Sequence, residues 1–161
     1  MKFSERMQSA INEQINLEMF SANTYLSMST YFAQQGLDGF AHWYYMQYKE
    51  ELTHAEDMMH YVITRGGKVE IKAVAAVETE FNSPLEIAEK AYHHECLVSE
   101  KIENLVRIAS EEKDMPSQDF FWKYIREQVE EEANATNLID RLRLAEGHAI
   151  LFLDKELAAR Q

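Results

Sequence analysis

The segment Glu50-Glu51-Leu52-Thr53-His54 contains a pair of residues that could bind a metal ion. Glu51 and His54 are three residues apart, and on a helix this spacing puts a carboxylate and an imidazole on one face, where both can bind one cation. A Glu-x-x-His pair also arises by chance in an acidic helical chain, so a solvated helix face is the alternative interpretation. The other helices must supply matching residues before the pair indicates a site.

Composition limits the fold and the partners. The chain has 161 residues and a formal net charge of −12, from 16 Lys+Arg against 28 Asp+Glu. This length is enough for one domain with a sizeable core, and we expect residues 1–161 to form a single domain. Two Pro and five Gly are too few for an all-β sandwich or barrel, which favours an all-α fold. The negative charge argues against nucleic acid as a partner and favours cations.

The cysteine content and the N-terminal segment bear on the compartment. Cys96 is the single cysteine, which excludes an intrachain disulfide and any zinc or iron–sulfur site that needs two or more cysteines from one chain. Residues 1–8 contain no apolar signal-like segment, and no stretch approaches the roughly eighteen uncharged residues of a membrane span. We therefore predict a cytoplasmic protein with no membrane partner.

Apolar periodicity and turn residues predict two long helices in the first part of the chain. The first covers about residues 5–35, with Ser4 as N-cap and Gly36 as the stop. The second follows a short turn at residues 36–39 and continues to about Arg65. So short a turn makes the two helices antiparallel neighbours.

Residues 68–82 lack strong caps and form a connection that is unusually long inside a compact domain. Extended at about 3.3 Å per residue, this connection could span ~50 Å, which exceeds the ~40 Å of the preceding helix at about 1.5 Å per residue. We therefore predict a single long crossover along the bundle, which makes the second and third helices parallel.

The last part of the chain predicts two more long helices and a short one. Ser83-Pro84-Leu85-Glu86 is a capping box with Pro at N1, so the third helix is predicted from there to about Glu112. After a turn at residues 114–117, a fourth helix is predicted to about Glu146. Residues 148–160 are predicted as a short amphipathic fifth helix that must dock on this subunit or on another one. The predicted fold is an all-α four-helix bundle with one long crossover between helices 2 and 3 and a short C-terminal fifth helix.

Each of the four long helices carries polar side chains near the middle of its inward stripe. These side chains are Glu18 on the first helix, Glu51 with His54 on the second, Glu95 on the third, and Gln128 with Glu131 on the fourth. Four buried carboxylates at one level would repel one another unless something positive lay between them, and no Lys or Arg lies on these stripes. Two divalent ions would balance the four charges. A ligand set of oxygens with one nitrogen suits iron or manganese, although zinc could also bind.

Several motifs together resemble one known family over essentially the whole chain. They are Leu17-Glu18 followed by Tyr25, Glu50-Glu51-Leu52-Thr53-His54, Asn82-Ser83-Pro84-Leu85, His94-Glu95, and Glu127-Gln128-x-Glu130-Glu131. With these motifs the chain resembles a bacterial non-haem ferritin, a member of the ferritin-like superfamily.

The resemblance implies roles for the inward residues. One iron would be held by Glu18, Glu51 and His54, with Glu51 bridging to a second iron that binds Glu95 and Glu131. The resemblance also places Gln128 close to the pair and Tyr25 beside this dinuclear centre. A third iron site is implied at Glu50, Glu127, Glu130 and Glu131.

The departure from a symmetric site is informative. Ferritin-like dinuclear bundles can carry two Glu-x-x-His motifs, but here the fourth helix offers Gln128 and Glu131 instead. The second iron should then be held more loosely, which suits iron that must move on after oxidation. The bacterioferritin branch places a haem-binding Met directly after the bridging Glu, whereas this chain has Leu52, so no haem is expected. A rubrerythrin would need a Cys-rich iron module.

The function that the resemblance implies is iron storage and detoxification. Fe(II) would be oxidised by dioxygen or hydrogen peroxide at the dinuclear site, and Fe(III) would be stored as hydrous ferric oxide inside a hollow shell of twenty-four subunits. Two alternatives remain open from the residues alone. One is a dinuclear-iron oxidase or oxygenase that retains its metal, and the other is a helical structural protein whose buried acids only fix the packing register.

Overall fold

The computed structural model describes residues 3–145 and 147–160, which form five α-helices and a 3-10 turn. The helices are α1 (Glu5–Gln34), α2 (Asp38–Thr64), α3 (Pro84–Glu111), α4 (Met115–Leu144) and α5 (Ile150–Leu157), and the 3-10 turn is Gly147–Ala149. These described ranges contain no strand, and none of their helices has the length and apolar character that a membrane span requires. The prediction of an all-α fold is confirmed.

The caps predicted for the first and third helices are present. The Ser4 hydroxyl accepts the N–H of Met7 at 3.0 Å, and the Ser83 hydroxyl accepts the N–H of Glu86 at 3.1 Å. Each bond satisfies one of the backbone donors that a helix start leaves without a partner. The carboxylate of Glu86 reaches back to the N–H of Asn82, one residue before the cap, and so completes a variant of the capping box.

The topology follows from contacts between helix ends. Arg6 at the start of α1 pairs with Glu111 at the end of α3, so α1 and α3 are antiparallel. Just after α2, the N–H of Lys68 donates to the side chain of Gln8, so α2 ends beside the start of α1 and is also antiparallel to it. Consequently α2 and α3 run parallel, as predicted.

The connection between α2 and α3 lies along α1. The side-chain amide of Asn12 donates to the carbonyl of Lys68 and accepts the N–H of Glu70, both at 2.9 Å. Further along, the Ser27 hydroxyl donates to the carbonyl of Glu78 at 2.6 Å. The connection therefore follows α1 from its first turns to its last third, and the predicted long crossover is confirmed.

Two predicted helix bounds at the C-terminal end were wrong. The fourth helix ends at Leu144, because Ala145 takes an extended conformation with ψ 92°, and the predicted end at Glu146 lies outside the described residues. The fifth helix covers residues 150–157 instead of 148–160. It is preceded by the 3-10 turn that starts at Gly147, where φ is 57°. It is followed by a turn in which Arg160 donates its N–H to the carbonyl of Leu157.

Helix α5 docks on the start of α2 in its own subunit. The Asp154 carboxylate accepts the N–H of Phe40 at 2.9 Å, and Leu37 provides no side-chain cap for α2. Asp154 therefore acts as the missing cap from a distant part of the chain. Gly39 makes the approach possible, because a Cβ at this position would lie 1.7 Å from the Asp154 carbonyl oxygen.

The apolar interior consists of two clusters with polar residues between them. The α5-side cluster contains Tyr25, Met28, Phe32, Phe40, Ala41, Tyr44, Ile87, Ala88, Ala91, Leu138, Ile139, Leu142, Leu153 and Leu157. The far cluster contains Met7, Ile11, Ile15, Met58, Val62, Val98, Ile102, Leu105, Ile108, Ala109, Phe121 and Tyr124. The polar belt between them consists of Glu18, Gln47, Glu51, His54, Glu95, Gln128 and Glu131.

Candidate metal centre

The polar belt is built by the middle turns of α1 to α4. Their apolar stripes direct the same faces inward on either side of the belt, so the polar residues are carried inward with them. The most deeply buried acidic and amide members are Glu18, Gln47, Glu51, Glu95 and Gln128. His54 and Glu131 are half-buried. The structure thus brings together every residue predicted for the dinuclear centre.

Glu18, Glu51 and His54 form the tightest group. One ligand atom from each lies within 4.8 Å of the others. His54 Nδ1 is 3.4 Å from Glu51 Oε2 and 3.9 Å from Glu18 Oε2. Both of these carboxylate oxygens are buried, and no donor among the described residues reaches either of them. Since buried acceptors without a partner are costly, the group has the chemistry of a cation site.

The opposite side of the belt is held by neutral hydrogen-bond donors. The Tyr25 hydroxyl donates to one oxygen of Glu95, and Gln128 Nε2 donates to the other at 3.0 Å. Gln47 Nε2 donates to Glu131 at 2.9 Å. These bonds orient the two carboxylates of α3 and α4 without neutralising them, so they can still bind a cation.

Burial sets the electrostatics of the belt. Loss of water around the carboxyl group raises the pKa of Glu51 to about 8, with further repulsion from neighbouring acids, and raises the pKa of Glu131 to about 7. Burial also raises the pKa values of Glu18 and Glu95 above the ordinary range. Without a cation, protons therefore neutralise part of the belt near neutral pH, and a bound cation would replace them.

The residues predicted for the third site are only partly assembled. Glu50 and Glu127 line a surface pocket of about 460 Å³ beside His54. His54 Nε2 is 3.5 Å from Glu127 Oε2, another buried oxygen that no described donor reaches. Glu131 belongs to the belt, and Glu130 lies on the exposed face of α4 outside this pocket.

The pocket wall also carries an ion pair. Lys123 contacts the Asp57 carboxylate, and the Tyr124 hydroxyl donates to the same carboxylate at 2.7 Å. These contacts lower the pKa of Asp57, against the opposing effect of burial, so Asp57 stays ionised beside the outer part of the site. The pocket therefore provides an acidic opening between the belt and the surface of α2 and α4.

Sequence reasoning missed several side chains that act on the belt. Gln14 donates to Glu18 at 2.7 Å, and its i,i+4 spacing from Glu18 was a usable signal. Arg160 donates to Glu50 at 3.0 Å, and no local sequence pattern predicts this contact. The sequence motif His94-Glu95 named His94 without a partner; its imidazole bonds to Ser21, and burial lowers its pKa to about 4, so it is neutral there.

The fold and the belt together define a carboxylate-lined four-helix bundle. Residues 8–145 match the ferritin-like domain of the ferritin family. A bacterial non-heme ferritin of Bacteroides fragilis (strain 638R) is 47% identical over 157 residues, which cover 98% of this chain and 99% of that protein. One from Staphylococcus haemolyticus is 37% identical over 159 residues, with 98% and 96% covered.

A solved structure agrees with this assignment. The crystal structure of an open pore ferritin from the hyperthermophilic archaeon Archaeoglobus fulgidus matches with a TM-score of 0.97 at 46% identity, covering 99% of this chain and 100% of that one. The chain belongs to the ferritin family. The predicted resemblance to bacterial non-haem ferritins and the predicted bundle with a short fifth helix are confirmed.

Proposed function

We propose that this protein stores and detoxifies iron, and that its polar belt is a ferroxidase centre. Fe(II) is the substrate, dioxygen or hydrogen peroxide accepts the electrons, and Fe(III) is stored as hydrous ferric oxide inside a hollow shell of twenty-four subunits. The single observation that carries the proposal is the convergence of two buried carboxylate oxygens, on Glu18 and Glu51, with His54 Nδ1. Family membership supports the storage function.

Within this proposal, the first Fe(II) binds Glu18, Glu51 and His54. The arrangement supplies carboxylate oxygens and one imidazole nitrogen, a donor set that suits Fe(II). The nitrogen and the two oxygens are already close together, so binding requires little rearrangement. Burial, together with repulsion from neighbouring acids, raises the pKa values of these two acids, and the entering cation offsets both effects.

The second Fe(II) binds Glu95 and Glu131, with Glu51 as the bridge. Tyr25 and Gln128 hold Glu95, and Gln47 holds Glu131, so both carboxylates are oriented by neutral groups. No histidine faces this second position from α4. The weaker donor set and the half-buried Glu131 favour release of the oxidised ion over permanent retention.

The third iron site receives the oxidised iron from the dinuclear centre. Glu50, Glu127, Glu130 and Glu131 form this site, and the pocket beside His54 gives an exit from the belt to the surface of α2 and α4. Because Glu131 is common to both sites, oxidised iron can move outward from one carboxylate to the next. Glu130 must turn toward the pocket for this transfer, since it lies on the exposed face.

A paired substitution tests the centre. In Glu51→Ala with His54→Ala, the initial rate of aerobic Fe(II) oxidation should fall at least about tenfold, because two ligands of the first iron are lost. The matched control is Glu56→Ala with His60→Ala, which removes an exposed acid and imidazole from the same helix and should keep the wild-type rate. Equal rates in the wild type and the belt variant would contradict the proposal.

Iron loading separates storage from a catalyst that retains its metal. A storage shell should take up far more than two iron per subunit and should remain a large particle when sized before and after loading. A dinuclear-iron oxidase would stop near two tightly held iron per subunit. Uptake that stops there, with no large particle, would reject the storage function even if the oxidation rate depends on Glu51 and His54.

A further inference from the structure

Arg160, three residues after the end of α5, reaches back to the outer edge of the polar belt. Its Nη2 donates to Glu50 Oε2 at 3.0 Å, and its Nη1 donates to the carbonyl of Trp43 at 3.3 Å. Glu50 is one of the carboxylates of the proposed third iron site. The C-terminal segment is therefore in direct contact with a residue of the candidate metal centre.

The guanidinium of Arg160 is held in place by several contacts on α2. It lies over the Trp43 ring, 4.7 Å from the centroid, where a cation interacts favourably with the aromatic face. The backbone carbonyl of Arg160 is 2.6 Å from His42 Nε2, a hydrogen-bond distance. With 23% of its side chain exposed, Arg160 is better placed to hold a carboxylate than a fully solvated arginine.

The other carboxylates of the proposed third site lack such a partner. Among the described residues, Glu127 and Glu131 form no ion pair with Lys or Arg, and the nearby Lys123 is engaged with Asp57 and lies over the Tyr124 ring. Within the described part of the chain, Arg160 is thus the basic side chain that pairs with a carboxylate of the proposed third site. Its charge also opposes the rise in the pKa of Glu131, so its field extends to the belt.

A metal ion and this guanidinium cannot both use Glu50 in the same way. The guanidinium contacts Oε2 of Glu50 at 3.0 Å, and a metal ion on the same carboxylate would bring a second positive charge beside it, which repels the first. Binding of one cation to Glu50 therefore weakens binding of the other. The ion pair also helps to hold the end of the chain against α2, so its loss has a structural consequence.

We infer that Arg160 is an internal cation that competes with metal for Glu50, so that filling the third site releases the C-terminal turn from α2. This inference rests on the proposed function, which places a metal ion at Glu50. Coupling of this kind is reciprocal: metal binding weakens the docking of the turn, and undocking of the turn tightens metal binding. Arg160 is in this sense a positioning residue for Glu50.

Zn(II) binding to the metal-free protein tests the competition without oxidation chemistry. In Arg160→Gln, the weakest class of Zn(II) sites seen by calorimetry should tighten about two- to fivefold, the range expected for removal of a partly exposed ion pair. Arg141→Gln is the matched control. It removes the same charge and a contact of α4 with Glu156 on α5, but leaves Glu50 and Arg160 in place.

A double variant isolates the Glu50 contact. In the Glu50→Gln background, Arg160→Gln should have little further effect on Zn(II) affinity, because the competing pair is already lost. Unchanged affinity in Arg160→Gln, or equal tightening in Arg141→Gln, would overturn the inference. A full effect of Arg160→Gln in the Glu50→Gln background would also overturn it.

Hydrogen exchange measures the release of the turn directly. Saturating Zn(II) should speed amide exchange at residues 158–160 in the wild type, and should have no such effect in Glu50→Gln. Unchanged or slower exchange in the wild type would contradict the inference.

Failure of the inference can be told apart from failure of the proposed function. If Arg160→Gln and exchange show no effect while the Glu51→Ala, His54→Ala variant loses oxidation, only the role of Arg160 is rejected. If that belt variant keeps the wild-type oxidation rate while Arg160→Gln still tightens Zn(II), the ferroxidase assignment is rejected and the competition at Glu50 stands.

Discussion

The polar belt and the α5-side cluster are neighbours in one bundle. They differ in whether their buried side chains find partners within the protein. In the cluster, Phe32 stacks on Phe40 and Tyr44 with ring centroids 4.8 and 5.3 Å apart, so apolar surface is buried against apolar surface. In the belt, the buried Oε2 atoms of Glu18 and Glu51 have no described donor. The cluster is complete with its own side chains, whereas the belt leaves two acceptor atoms without a described donor, which is why we propose a cation there.

The largest expected difference comes from removing an aromatic ring of the cluster. Phe32→Ala should lower the free energy of unfolding of the metal-free protein by about 3–5 kcal/mol, because it deletes a fully buried ring and leaves a cavity. Urea denaturation at one fixed protein concentration measures the change. The number of Zn(II) bound per folded subunit should stay at the wild-type value. A loss below about 1 kcal/mol would show that the cluster is not the stabilising region.

The belt should make the metal-free protein less stable as pH rises. Folded Glu51 and Glu131 keep their protons up to pH about 8 and about 7, whereas an unfolded Glu releases its proton near pH ~4.3. Since the folded state binds more protons over this range, the free energy of unfolding falls as pH increases from about 5 to about 8. With Zn(II) bound the trend should reverse, because metal binding requires ionised carboxylates.

Urea midpoints measured at about pH 5.5 and about pH 7.5, with and without Zn(II), check both signs. Glu51→Gln is the control for other titrating groups. In the metal-free protein, this substitution should make the fall of the unfolding free energy with pH less steep. The difference should be on the order of 1 kcal/mol per pH unit, the effect of one titrating group. In the absence of metal, the urea midpoint of the wild type could instead rise with pH, and that of Glu51→Gln could rise by the same amount. This result would contradict the account of the belt.

The smallest expected difference compares two tyrosines of the same cluster. Tyr25 donates its hydroxyl hydrogen to Glu95, whereas the buried Tyr44 hydroxyl has no partner among the described residues. Tyr25→Phe should cost about 0.5–1.5 kcal/mol of unfolding free energy, and Tyr44→Phe should be neutral or slightly stabilising. Both are measured by urea denaturation at the same fixed pH of about 6.5. Equal effects would mean that the cluster and the belt are not distinguished by hydrogen bonding.

The level of the belt could be predicted because its residues interrupt regular apolar stripes. Glu18, Glu51 and Glu95 occupy positions where the helical period demands an inward side chain, and such a pattern is local to each helix. The starts of α1 and α3 were equally predictable, because Ser4 and Ser83 are side-chain caps that act within three residues. Local sequence rules therefore predicted both the helices and the helix faces on which the site lies.

Two of the missed features depend on contacts between distant parts of the chain. Arg160 and Glu50 are 110 positions apart, and neither their types nor their spacing indicates that they meet. The end of α4 was placed too late because helix propensity continues past Leu144, whereas the turn toward α2 requires extended backbone at Ala145. The position of Glu130 on the exposed face of α4 was also not predicted, because a motif gives residue types but not which of them faces the pocket.

The cap that Asp154 provides for α2 has a consequence for the order in which the chain is made. Asp154 and Phe40 are 114 positions apart, so the start of α2 emerges during synthesis long before its hydrogen-bond acceptor exists. Domains generally fold as units. The N–H of Phe40 therefore lacks this acceptor until α5 has been synthesised and has docked on α2.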